Sequence, residues 1–257
     1  MTRPPTSKLL LIGLVVAALA VIGIVLYTHQ PSKDIVPEPV VSTVPVAGEW
    51  PSTKIDEKTI VDDKSYYTIT AAYPIVKDSV ISQYFKDFID DNIKQFKEDT
   101  AWAEGDGADI APAEASSLSL NISYTQEKSS NADNYVFSIA TYTGGAHGLS
   151  ATKTFSFSPT GQVINLSSLF TNQDKGLKAV AAYVQQELKS RPNADLTAIE
   201  AGTEARAENF QNFVVTDKGI TFTFDPYQVA PYSAGTVTVS VPASAFKSVA
   251  SKDIFTL

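Results

Sequence analysis

Two short stretches hold the residues best suited to chemistry. Tyr142-Thr143-Gly144-Gly145-Ala146-His147-Gly148 sets three glycines around one of the 2 histidines in a chain of 257 residues. Histidine changes charge near neutral pH, and glycines let the backbone turn tightly or approach a ligand. His147 is therefore a candidate for ligand contact, for catalysis, or for pinning a turn by its own hydrogen bond. The second stretch is Phe224-Asp225-Pro226-Tyr227-Gln228-Val229-Ala230-Pro231-Tyr232-Ser233-Ala234-Gly235. Its two prolines stop regular structure, while Tyr227 and Tyr232 offer rings with an apolar body and a polar tip. Such a loop suits recognition of a protein or a sugar, or it covers the end of a sheet. Tyr142, Gly144, Gly145, His147, Tyr227 and Tyr232 form the candidate ligand-binding set.

No catalytic constellation completes itself around them. Ser150 lies three residues from His147 in the same turn, a spacing that rarely allows a nucleophile–base pair. Gly148-Leu149-Ser150-Ala151-Thr152 lacks the second glycine of a nucleophile elbow. Hydrolytic zinc takes two or three histidines, and the other one, His29, stands far away near the N-terminus. No phosphate loop or dinucleotide fingerprint occurs, so no cofactor, metal or catalytic residue is expected. The one enzymatic alternative is a hydrolase pairing His147 with a carboxylate such as Asp225 or Glu208. The absence of cysteine excludes a disulfide scaffold, a thiol nucleophile and a thiolate metal site. A formal charge of −8 excludes the basic footprint that nucleic acid requires.

The elements that must position these residues show in the hydropathy pattern. Lys64 to Tyr73 reads as a strand ending at Pro74. Val80, Ile81, Tyr84, Phe85, Phe88, Ile89, Ile93 and Phe96 recur at helical spacing, with Asp78 or Ser79 as cap. Thr100 to Ala115, with Glu104, Asp106, Asp109 and Glu114, reads as an exposed acidic loop whose spacing does not fit a calcium site. Strict alternation follows. Leu118, Leu120, Ile122 and Tyr124, then Tyr135, Phe137 and Ile139, then Phe155 and Phe157 point to neighbouring antiparallel strands with one buried face. Leu177, Val180, Ala181, Val184 and Leu188 mark a second helix stopped by Pro192. Strands close the chain at Phe213–Thr216, Gly219–Phe224 and Val237–Val241. The fold class is α+β, a mostly antiparallel sheet packed with two or more helices, preceded by one N-terminal transmembrane helix.

That helix is expected at Leu9–Tyr27, 19 residues without a charge. At 1.5 Å per residue it reaches roughly 28 Å, close to the hydrocarbon thickness of a bilayer. A cleavable signal peptide is the alternative, since Ala18-Leu19-Ala20 imitates a cleavage site, but apolar residues continue beyond it. Arg3 and Lys8 precede the span, and Asp34 and Glu38 follow it. The N-terminus is thus expected in the cytoplasm and the folded part outside. Residues 28–54 carry Pro31, Pro37, Pro39, Pro45 and Pro51, a composition that favours an extended tether of up to roughly 80 Å.

The Gly-rich stretch, Phe155-x-Phe157, Gly161, Leu166-Ser167-Ser168-Leu169-Phe170 and Tyr227-x-Val229-Ala230-Pro231-Tyr232-x-x-Gly235, followed by Val237, Val239, Val241 and Pro242, together resemble a known set. They are similar to the paired domains of unknown function shared by RsiV-type anti-sigma factors, which sense lysozyme, and PdaC-type peptidoglycan deacetylases. The resemblance covers about residues 60–250 and implies two packed halves, helices against an antiparallel sheet, divided near Gly145–Ser150. The expected organisation is a cytoplasmic tail (1–8), an anchor (9–27), a linker (28–54) and two halves (55–145 and 146–257). Neither the sigma-binding domain nor the deacetylase domain of those relatives is recognised. The resemblance therefore implies the shared module alone: an extracytoplasmic binding or sensing module of the cell envelope. Its expected ligand is a cell-wall glycan or a lysozyme-like protein, with a scaffold role that binds no small ligand as the further alternative.

Overall fold

The computed structural model describes residues 56–104 and 118–255. The expected anchor and linker, and all of the acidic loop beyond Glu104, lie outside the described residues. Among the described residues, no helix is long and apolar enough to cross a membrane.

The first half is a six-stranded sheet in sequential order: β1 (Asp56–Asp63), β2 (Tyr67–Ile75), β3 (Leu118–Lys128), β4 (Asp133–Tyr142), β5 (Leu149–Phe157) and β6 (Val163–Ile164). Neighbours are antiparallel except β2 and β3, which run parallel from Tyr67 opposite Leu118 to Ala71 opposite Ile122. The parallel pair departs from the expected antiparallel pattern because a crossover containing α1 (Ser79–Asp99) separates the two strands. β1 was not expected. Its sequence, DEKTIVDD, is mostly exposed on the sheet edge, where charge replaces alternation and discourages pairing with other chains. β2 also runs past Pro74 to Ile75. Pro74 pairs only with Glu57 of β1, where the β3 ladder has already ended, so its missing N–H is tolerated.

α1 begins where Asp78 accepts hydrogen bonds from the Val80 and Ile81 amides. It buries Ile81, Phe85, Ile89 and Phe96, while Val80 and Tyr84 remain exposed, so the apolar stripe is narrower than its spacing implied. Phe85 meets Tyr135, Phe137, Phe155 and Phe157 with ring centroids 4.7 to 5.9 Å apart, tying the helix to β4 and β5.

The second half has its own core. Strands β7 (Phe213–Thr216), β8 (Gly219–Phe224) and β9 (Val237–Pro242) form an antiparallel sheet. Against it sits α2 (Gln173–Lys189), burying Leu177, Val180, Ala181, Val184 and Leu188 and capped by Asn172. The short α3 (Leu196–Gly202), capped by Asp195, was not resolved by hydropathy, since seven residues give too few repeats of the period.

Side chains, not a continuous ladder, join the halves. The Asn134 amide donates to the carbonyls of Glu127 and Val215, both at 3.0 Å. Its oxygen accepts from the Val215 amide at 2.9 Å and the Ser156 hydroxyl at 2.8 Å. Thr154 accepts from the Phe213 amide at 2.8 Å. These residues sit on the face of β4 and β5 opposite Phe155 and Phe157. There the alternation implied solvent, and the structure places the second half. The division expected at 145/146 falls within the hairpin between β4 and β5, and the first sheet continues to Ile164.

Candidate functional site

The two singled-out stretches meet. The rings of His147 and Tyr232 are stacked with centroids 4.5 Å apart, and Tyr227 follows 5.4 Å beyond Tyr232. The Tyr232 hydroxyl donates to the Gly148 carbonyl at 2.9 Å, and His147 Nδ1 lies 2.9 Å from that same oxygen, so this nitrogen carries the proton that it donates. His147 and Tyr227 are exposed and Tyr232 is half-buried. The result is a ladder of three rings standing at the surface, one from the first half and two from the second.

Local backbone chemistry explains each ring's position. His147 belongs to the hairpin joining β4 to β5, where Gly144 and Gly145 take φ of 103° and 107°, a region that resists side chains. The Tyr142 hydroxyl donates to the Gly145 carbonyl at 2.8 Å and closes this turn. Tyr227 lies in a tight turn in which its amide donates to the Ala230 carbonyl at 3.1 Å. It has φ of 72°, a left-handed conformation that costs an aromatic residue about 1–2 kcal/mol. The neighbouring Gln228 holds the turn by donating to the carbonyls of Gly202 and Asn209, at 3.1 and 3.0 Å.

Of the predicted set, His147, Tyr227 and Tyr232 form the ladder, whereas Tyr142, Gly144 and Gly145 shape the hairpin that carries His147. Two contributors escaped sequence reasoning. Gln228 fixes the turn, and no spacing rule marks a glutamine for that task. Trp102, in the short turn after α1, is 52% exposed, and its ring edge lies against Gly144. Its position at the border of the acidic loop hid it.

The catalytic alternative finds no geometry here. Among the described residues, the His147 ring makes its hydrogen bond to a carbonyl, not to a carboxylate or hydroxyl. Asp225 accepts instead from the Thr152 amide at 2.8 Å; burial pushes its carboxyl above the usual range while that hydrogen bond opposes the shift. Ser150 pairs with Ala140 within the β4–β5 ladder. No group of three or more histidine or acidic residues able to hold a metal occurs among the described residues. A shallow depression of about 530 Å³ lies elsewhere, beside the C-terminal end of α1 between Asp90, Lys94 and Lys97.

Two known families match parts of this chain. Residues 60–150 match the family described as Deacetylase PdaC, and residues 167–244 match the protein family of unknown function DUF3298. The peptidoglycan-N-acetylmuramic acid deacetylase PdaC of Bacillus subtilis is 25% identical over 239 residues, covering 91% of this chain and 49% of that protein. The immunogenic protein MPT64 of Mycobacterium tuberculosis is 32% identical over 106 residues, 41% of this chain and 46% of that protein. The chain thus spans about half the length of the curated relatives it matches. A DUF3298 family protein from Pseudomonas aeruginosa shares the fold with a TM-score of 0.53 at 13% identity, covering 78% of this chain and 96% of its own. Another, from Bacteroides fragilis, gives 0.52 at 19% identity, over 77% and 94%. The PdaC match thus falls in the first half of the folded part and the DUF3298 match in the second, the pairing that the motifs indicated.

Proposed function

We propose that this chain is a membrane-tethered, extracytoplasmic binding module of the bacterial cell envelope whose ligand is a cell-wall glycan. The observation that carries this reading is the exposed ladder of His147, Tyr232 and Tyr227. The C–H face of a pyranose packs on an aromatic ring, and its hydroxyls take hydrogen bonds from polar tips and backbone groups at the edge. A backbone held in a costly conformation to present Tyr227 fits a binding role better than a covering role. The peptidoglycan substrate in the relative's name supports the choice of glycan. The uncharged stretch Leu9–Tyr27 and the prolines after it supply the anchor and tether of this reading.

A lysozyme-like protein is the second reading, favoured by the net charge of −8, which attracts a cationic partner. Calorimetric titration of the full chain with peptidoglycan fragments and with lysozyme separates the two. The glycan reading expects saturable binding of fragments, weakened about tenfold in Tyr232→Ala by loss of the central ring. Binding of lysozyme alone, falling steeply with salt, favours the second reading. Fragments released or deacetylated during incubation, with loss of turnover in His147→Ala, favour a hydrolase. Binding of none of these leaves the scaffold alternative.

A further inference from the structure

Resting on the glycan reading, we infer that Trp102 forms a second sugar-binding position beside the ring ladder, so that the module binds a linear oligosaccharide rather than a single terminal sugar. Trp102 is 52% exposed; single exposed apolar side chains are ordinary, and what marks this one is its place against the hairpin that carries His147. Its seat is built. A Cβ placed on Gly144 would lie 3.3 Å from Trp102 Cζ2 and 3.8 Å from Cη2, so the indole edge rests on bare backbone. Between this ring and His147 the hairpin carries Gly144 and Gly145, and a Cβ on Gly145 would meet nothing within 4 Å. Gly144 and Gly145 thus leave bare backbone beside Trp102, and only the small side chain of Ala146 separates them from His147 along the hairpin.

The distance along the hairpin is bounded by the chain. The three residue steps from Gly144 to His147 span at most about 11 Å, short enough for one oligosaccharide to reach both positions. Apart from His147, the residues here (Trp102, Gly144, Gly145, Tyr232 and Tyr227) carry no formal charge, in a protein whose acids outnumber its bases 28 to 20. A neutral strip with ring faces at both ends and backbone groups between them matches a neutral linear saccharide. A cationic protein would instead find its complement on the acidic surface around it.

The test uses the full chain and β-1,4-linked N-acetylglucosamine oligomers of two and six units, followed by calorimetry and tryptophan fluorescence. The hexamer is expected to bind about tenfold tighter than the dimer, as a second stacking contact provides. In Trp102→Ala the advantage of the hexamer falls to about twofold while dimer binding persists, whereas Tyr232→Ala weakens both. Hexamer-induced fluorescence change vanishes in Trp102→Ala, in which Trp50 remains as the internal control. An unchanged thermal transition shows that this exposed substitution leaves the fold intact. Equal affinity for dimer and hexamer, or a length advantage that survives Trp102→Ala, overturns the second position while leaving the ladder standing. Absence of binding by either oligomer while peptidoglycan fragments still bind overturns this inference alone; absence of binding by the fragments as well overturns the glycan reading with it.

Discussion

Two of the polar contacts between the halves have opposite character. At one, Asn134 is 1% exposed and uses both amide hydrogens and both lone pairs on four partners: Glu127, Val215 twice and Ser156. Its side chain does for β7 what a neighbouring strand's peptide group would do. At the other, the Tyr232 hydroxyl and His147 Nδ1 converge on one carbonyl, and the ring faces around them stand at the surface. The buried contact has no capacity left for a ligand. The exposed one leaves the His147 and Tyr227 rings at the surface, and the backbone at Tyr227 is held in an unfavourable conformation. The first contact is built for stability, and under the proposed function the second is the one left for recognition, although both bridge the same halves.

Removing the buried contact should have the largest effect. Asn134→Ala strands the Val215 amide and carbonyl and the Ser156 hydroxyl away from water, where each unpaired group costs about 1–3 kcal/mol. We expect about 4 kcal/mol of lost stability in urea unfolding, with the slope unchanged if the halves still unfold together. A loss below about 1 kcal/mol would mean that the remaining contacts hold the halves together without Asn134, and the contrast between the two contacts would lapse.

An intermediate effect is expected where the ladder is anchored. Gly202, the last residue of α3, lies so close to the turn bearing Tyr227 that a Cβ would fall 1.9 Å from the Gln228 carbonyl oxygen. Gly202→Ala must displace that turn, at a cost of about 2 kcal/mol typical of overpacking. The ring signals of Tyr227, Tyr232 and His147 should shift with it in the proton NMR spectrum. Unmoved ring signals would show that the ladder is held from the β4–β5 hairpin rather than from α3.

How much of this was legible depended on whether a residue's role is local. Strands β3 to β5 and both long helices followed from spacing, because each buries one continuous face, and the cap at Asp78 followed from residue type. β1 was hidden because an edge strand with charged faces has no alternation to read. The roles of Asn134, Thr154 and Ser156 were hidden for the converse reason. They alternate correctly as the outer face of a sheet, and only the packing of the second half turns that face inward. Of the candidate site, the six residues were singled out from the composition of two loops, but that three of them stack needed the fold. Trp102 and Gln228 act through contacts 42 and 26 residues away, at Gly144 and Gly202, and no local pattern encodes those.

The smallest effect has the opposite sign and separates presentation from covering. Tyr227 is 57% exposed and sits at φ of 72°, a conformation that asparagine tolerates better than an aromatic residue. Tyr227→Asn removes little buried area, so relief of backbone strain should outweigh the lost contact with Tyr232 at 5.4 Å. We expect a gain of about 0.5 kcal/mol in unfolding free energy, together with weaker binding of peptidoglycan fragments. Gained stability with lost binding is the pattern of a residue kept for a ligand at the expense of the fold. Lost stability with unchanged binding would instead make Tyr227 a cover for the sheet end. The exposed contact would then belong, like Asn134, to the structure rather than to recognition.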